Sequence, residues 1–214
     1  MKNTVLSNLN AAAMVMPYRT AIEDFIHHSA LPMDKYSHQP RVYQLAVRIA
    51  EDAAYDDDVL HAAAWLHDIG VFIGHRPEDQ AALASWDNVA YAIERVPALL
   101  SQFGFPEEKI PAVVNAIHHH LPRSSPQTIE GILLRDADIL ETLGAIGILR
   151  MVSKVGRDTR YPTHAKAIDV LRNNCENLAQ SIHLISARHL ATPRIKLMHS
   201  FLDALEIERD GADI

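Results

Sequence analysis

His67 and Asp68 close an almost unbroken apolar run, Val59 to Leu66, within "VLHAAAWLHDIG". An aspartate is almost never fully buried unless it is paired or binds a metal. The dipeptide therefore calls for a partner elsewhere in the chain. His38 lies one turn before Val42 on the inward face of a helix, and Asp138 sits inside the apolar stretch "ILLRDADILETLGAIG". Two imidazoles and two carboxylates make a mixed nitrogen and oxygen set. Such a set suits Mn, Fe, Co, Ni or Zn rather than a thiolate site or an all-oxygen calcium site. Four protein ligands on an ion that accepts up to six leave room for water and substrate. A second reading of the same residues stays open, with His67 and Asp68 as a hydrogen-bonded core pair and Asp138 capping a neighbouring turn. The dipeptide alone does not separate the two.

The chain has 13 His, so most of them need only a structural role. His27, His28, His61, His164, His183, His189 and His199 have no acidic motif beside them, and His189 reads as a hydrogen-bonded core residue. In "AVVNAIHHH" the third histidine differs. His120 falls on the face of Val113, Ala116 and Ile117 and points inward, whereas His118 and His119 lean towards solvent or a neighbouring helix.

The elements that must position these groups are helical. Val42, Leu45, Ala46, Ile49 and Ala50 recur at helical spacing, and Val59 to Ile69 predicts a buried helix that stops at Gly70. A helix from Ser85 or Asp87 is expected to be interrupted at Pro97, and Pro111 opens or kinks the segment carrying Val113. Residues 129–150 predict one continuous helix, with Gly144 and Gly147 allowing close helix contact. Ile168, Leu171, Cys175, Leu178, Ile182 and Ile185 hold one face for five turns, and Pro193 is expected to start the last helix. "PRSSPQ" (122–127) and "GRDTRYPTH" (156–164) read as loops. No alternating strand pattern appears. The fold class is all-α.

At 214 residues, with 48% hydrophobic and 22% charged residues, the chain suits one soluble domain spanning 1–214. A net charge of −7 with neutral His argues against a nucleic-acid polymer as partner, although a small basic pocket for a small anion is compatible with it. The lone Cys175 excludes an intrachain disulfide. The N-terminal stretch through Met16 is interrupted by Asn3, Ser7, Asn8 and Asn10 and lacks the continuous apolar core of a signal peptide. No segment approaches the ~20 apolar residues that cross a bilayer, so no membrane partner is expected. The expected location is the cytoplasm.

The order His38, His67-Asp68, Asp138 resembles the HD-domain superfamily of metal-dependent phosphohydrolases, whose signature is H…HD…D on a helical bundle. The likeness extends beyond four residues. "SHQPRVYQLAVRIAE" (37–51) is similar to that family's first-ligand helix, and "HAAAWLHDIG" (61–70) to its HD helix. "AVVNAIHHH" (112–120) resembles its downstream histidine segment, and "ILLRDADILETLGAIGILR" (132–150) the last-ligand helix of a small, single-domain bacterial branch. Arg194 and Phe201 also fit that branch, so the likeness covers roughly residues 20 to 205.

The resemblance implies that His38, His67, Asp68 and Asp138 hold a divalent transition metal, one per chain. Asp136 and Asp138 diverge by about 200° on a helix, and the family pattern selects Asp138, leaving Asp136 to orient a ligand or pack helices. It further implies a small phosphorylated substrate, a nucleotide or another phosphate ester, hydrolysed by metal-activated water with Asp68 able to accept a proton. His120 matches the family's site histidine and would bind the phosphate or a second metal. Arg41, one turn beyond His38, could clamp a phosphate with its guanidinium fork or simply lie at the surface, and Arg76 and Arg123 sit in loops that could rim the site.

Two rivals accompany this reading. A di-iron oxygenase of the HD type needs a further histidine between the HD pair and the later cluster. Here that interval holds only His75, seven residues after Asp68 and too close to serve from a separate helix. A non-catalytic module that binds a nucleotide or a partner would be expected to have lost a ligand, and all four are present.

Overall fold

The computed structural model describes residues 17–157 and 161–212. The N-terminal stretch read above through Met16 and the middle of the 156–164 loop lie outside them. Among the described residues the chain forms α-helices and short 3-10 turns, with no β-strand. No described helix is long and apolar enough to cross a membrane.

Four helices make the centre: α2 (His38–Ala50), α3 (Asp57–Leu66), α6 (Ile110–His118) and α7 (Ile129–Glu141), numbered in a chain order that begins with α1 (Pro17–Ser29). α7 packs on α2, and α3 lies between α2 and α6. Their meeting faces are apolar, with Val42, Ala46, Leu60, Leu66, Ile117, Leu133 and Leu134 at 0% exposure. Burial of each large side chain of this kind contributes about 1.5–3 kcal/mol. α3 starts where Asp56 accepts from the backbone N–H groups of Asp58 and Val59 at 3.0 and 3.3 Å, a side-chain cap that satisfies otherwise orphaned donors.

The remaining helices cover this centre. α1 covers α3, whose first turn is tied to α1 by Arg19 through Asp57 and Asp58 at 2.8 and 2.6 Å. The short α4 (Gln80–Ala84) and α5 (Asn88–Gln102) follow, α5 packing against α6. α8 (Gly144–Val152), α9 (His164–Glu176) and α10 (Ile185–Arg209) close the other side.

Several boundaries differ from the periodicity reading. α5 runs through Pro97 because Ala92 and Val96 before it and Leu99 and Leu100 after it are all buried, and this packing outweighs one missing backbone bond. By the same logic α10 begins at Ile185, not Pro193, with Ala187 and Ala191 buried on one side of the proline and Met198 and Leu202 on the other. The five-turn face from Ile168 belongs to two helices, since α9 ends at Glu176 and a 3-10 turn, Leu178–Ser181, intervenes. His189 is exposed on α10 and is not a core residue. The 129–150 helix breaks at Thr142–Leu143, and Gly144 enters α8 with φ of +73°, a left-handed conformation that favours glycine.

Candidate metal centre

The first turn of α2, the end of α3, the end of α6 and the C-terminal half of α7 meet at one cleft. His38 opens α2. His67 and Asp68 follow the last residue of α3, where the backbone leaves the helix into a 3-10 turn, Ile69–Val71. His120 comes two residues after α6, and Asp138 lies one turn before the end of α7.

The three imidazoles share one arrangement. His67 Nδ1 donates to the carbonyl of Ala64 at 2.9 Å, and His120 Nδ1 donates to that of Ile117 at 2.5 Å. His38 Nδ1 is 3.4 Å from the Glu141 carboxylate. Each contact fixes the ring and directs the other nitrogen, Nε2, into the cleft. His38 Nε2 and His67 Nε2 are buried there without any hydrogen-bond partner. A buried nitrogen left without a partner costs about 1–3 kcal/mol. A cation would satisfy both.

The carboxylates supply the opposite charge. His38 Nε2 lies 3.3 Å from Asp138 Oδ1 and 3.6 Å from Asp68 Oδ2, and His67 Nε2 lies 3.7 Å from Asp68 Oδ2. His38, His67 and Asp138 each offer a ligand atom within 4.8 Å of the others, as do His67, Asp68 and His120. The structure thus brings together the four residues predicted as ligands, and His120 beside them. Their donor set fits a divalent transition ion.

Charge coupling inside the cluster is strong. Burial would raise the pKa of Asp138, but the contact with His38 and the neighbouring imidazoles hold it well below the usual carboxylate range. Asp68 is likewise lowered, against its burial, by His67 and His38. Burial drives His67 down to about 4, so its ring is neutral and ready to coordinate near neutral pH.

Glu141, one turn after Asp138 on α7, is buried and was not singled out from the sequence. Its carboxylate takes His38 Nδ1 at 3.4 Å, the Nε and Nη2 groups of Arg41 at 2.9 Å each, and Arg150 at 3.2 Å. Burial opposes the charge, yet His38 and Arg41 lower its pKa. The spacing from Asp138 could have shown it, since i and i+3 share a helix face. Asp136 faces the other way and accepts from the backbone N–H groups of His183 and Leu184 at 3.0 and 2.7 Å, anchoring the entry to α10.

The cleft encloses about 250 Å³, and beyond the ligands its lining includes Gln39, Asn88 and Thr142 with four cations, Lys35, Arg150, Lys154 and Arg157. These cations come from loops and a helix end whose site role has no periodicity to reveal it. Arg41 does not line the cleft, being held on Glu141. Arg76 lines an adjoining cavity that also borders Lys35, Lys154 and Arg157. Arg123 is exposed and absent from the lining. His75 is hydrogen-bonded to Tyr91 at 3.0 Å away from the cleft, and His118 is exposed.

Comparison with known proteins adds to this geometry. The HD domain family model matches residues 36–143, which include all four predicted ligands. The YpgQ protein of Bacillus subtilis is 27% identical over 186 residues, covering 83% of this chain and 85% of the relative. A crystal structure of YpgQ superposes with a TM-score of 0.70 at 25% identity, over 92% of this chain and 97% of that one. Another, of YpgQ in complex with ADP, gives 0.66 at 25% identity, over 91% and 100%. The fold is shared with an HD-superfamily hydrolase of Bacillus thuringiensis, TM-score 0.64 at 21% identity over 91% and 97%.

Proposed function

The chain belongs to the HD domain family, and from that premise we propose that it is a metal-dependent phosphohydrolase acting on a nucleotide or another small phosphate ester. The observation that carries this reading is one cleft with two faces. Unpartnered imidazole nitrogens and carboxylates form one face, and Lys35, Arg150, Lys154 and Arg157 line the rest. The first face suits a cation and the second a phosphate. The ADP bound to YpgQ supports a nucleotide as the ligand class.

His38, His67, Asp68 and Asp138 would hold one divalent ion. When bound, such an ion supplies Lewis acidity towards a phosphoryl oxygen and lowers the pKa of water towards ~7. Asp68, ionised and partly open to the cleft, accepts a proton. His120 presents Nε2 to the phosphate, its ring fixed through Ile117. Lys154 and Arg157 neutralise substrate charge, with Arg150 in the place considered for Arg41.

One ion per chain is the reading that the ligand arithmetic supports. The two ligand triads share His67, and a single nitrogen lone pair serves one ion at a time. Two ions would each be left short, with His75 turned to Tyr91.

The test is metal-loaded protein against a panel of nucleotides and phosphate esters, with phosphate and pyrophosphate release measured separately. The expected result is metal-dependent release that Asp138→Ala abolishes. Failure across the whole panel would leave a non-catalytic binding module. Two bound irons with oxygen-dependent turnover would establish the oxygenase instead.

A further inference from the structure

A second cavity, of about 260 Å³, shares no lining residue with the cleft. Three guanidinium groups border it, Arg41 and Arg48 from one face of α2 and Arg194 from α10. They meet a single lining carboxylate, Glu141, which also takes contacts from Arg150 and His38. In a chain of net charge −7 this is a local surplus of at least two positive charges. Like charges repel, and Arg194 is the group that this crowding acts on. Burial pulls its pKa down, Glu141 works against this, and Arg48 pushes it down again.

The donors remaining have the character of an anion site. Arg41 gives Nε and Nη2 to Glu141 and Arg194 gives Nη1 to the Leu140 carbonyl at 2.5 Å, so both are held in place with further N–H groups to offer. Arg48 is exposed at the mouth. Guanidinium forks match phosphate oxygens in pairs, and a surplus of two charges matches a phosphate dianion better than a carboxylate.

We infer that this cavity is a second, separate binding site for a small phosphate dianion, free or as the end group of a monoester. It lies one carboxylate away from His38, since Glu141 borders the cavity and contacts that ring.

Calorimetric titration of inorganic phosphate and of methylphosphonate into the full-length, metal-loaded chain tests this. Wild type should show a site that Arg48→Gln weakens roughly tenfold or more, the scale of a lost charged hydrogen bond. Lys154→Gln, in the cleft, should leave that site intact. Phosphate without methylphosphonate would identify the free ion, and binding of both a site open to monoesters. Arg48 is exposed, so its variant should fold, which circular dichroism checks. Unchanged phosphate affinity in Arg48→Gln, loss of all binding in Lys154→Gln, or no binding up to about 10 mM would each overturn the inference.

Discussion

At the scale of single residues, the candidate metal centre rests as much on hydrogen bonds behind the rings as on the proposed ligands. A free imidazole has two tautomers and turns about its bonds, so a ligand ring needs its second nitrogen held. Ala64 and Ile117 do this through backbone carbonyls, whereas His38 relies on Glu141. Only the last can be removed by substitution. Glu141→Gln should keep the fold and lower metal affinity about 10–100-fold, the usual effect of altering a group behind a ligand. A competition titration with a chromophoric chelator measures it. Asp136→Asn should leave metal affinity close to wild type, because that carboxylate holds His183 and Leu184 rather than a ligand. Equal affinity in Glu141→Gln and wild type would remove Glu141 from the site. The proposed ligands stand out in the sequence because an apolar run raises the question of why His67 and Asp68 are there. Glu141 is hidden in the sequence because a glutamate within a helix usually reads as solvated.

Among the elements, the reading of helices succeeded where one face is apolar and failed where packing overrides local chemistry. Pro97, Pro193 and the 142–144 break are such failures, since the competing contacts come from distant segments. Gly70 is the instructive case. The sequence suggests a helix stop there, but α3 has already ended at Leu66. A Cβ on Gly70 would lie 2.5 Å from the carbonyl oxygen of Asn88 at the start of α5. The glycine therefore permits the turn after Asp68 to dock on α5, and Trp86 Nε1 bonds the Gly70 carbonyl at 2.8 Å to fix that docking. The contact sets the position of Asp68 and of Asn88, both in the cleft lining. Gly70→Ala should cost about 1–3 kcal/mol, as an overpacked position does, and reduce metal affinity as well. Thermal unfolding and metal titration check the two effects. A variant with wild-type stability would mean that the two segments can separate without loss.

Across the whole molecule, the proposed ligands join segments far apart in the chain, on α2, just after α3 and on α7, and all three helices belong to the central core. A bound ion therefore acts on the fold and not only on the substrate. The buried Nε2 atoms of His38 and His67 face the carboxylates of Asp68 and Asp138, a grouping that a cation would bind. Binding to the native state alone stabilises by about 2.7 kcal/mol when the free metal stands at 100 times its Kd. For a chain of this size that is a rise in Tm of roughly 5–11 °C. Chelation should lower the Tm of wild type by about that amount, and re-addition of one equivalent of metal should restore it. His67→Ala supplies the control. It lacks a ligand common to both triads, so its Tm should be the same with and without chelator. It should also lie nearer to metal-free wild type than a core truncation of similar size would, because one orphaned nitrogen has gone with the ring. An equal chelator effect on both proteins would place the metal elsewhere. No effect on wild type would mean that the cluster holds no ion in the native state.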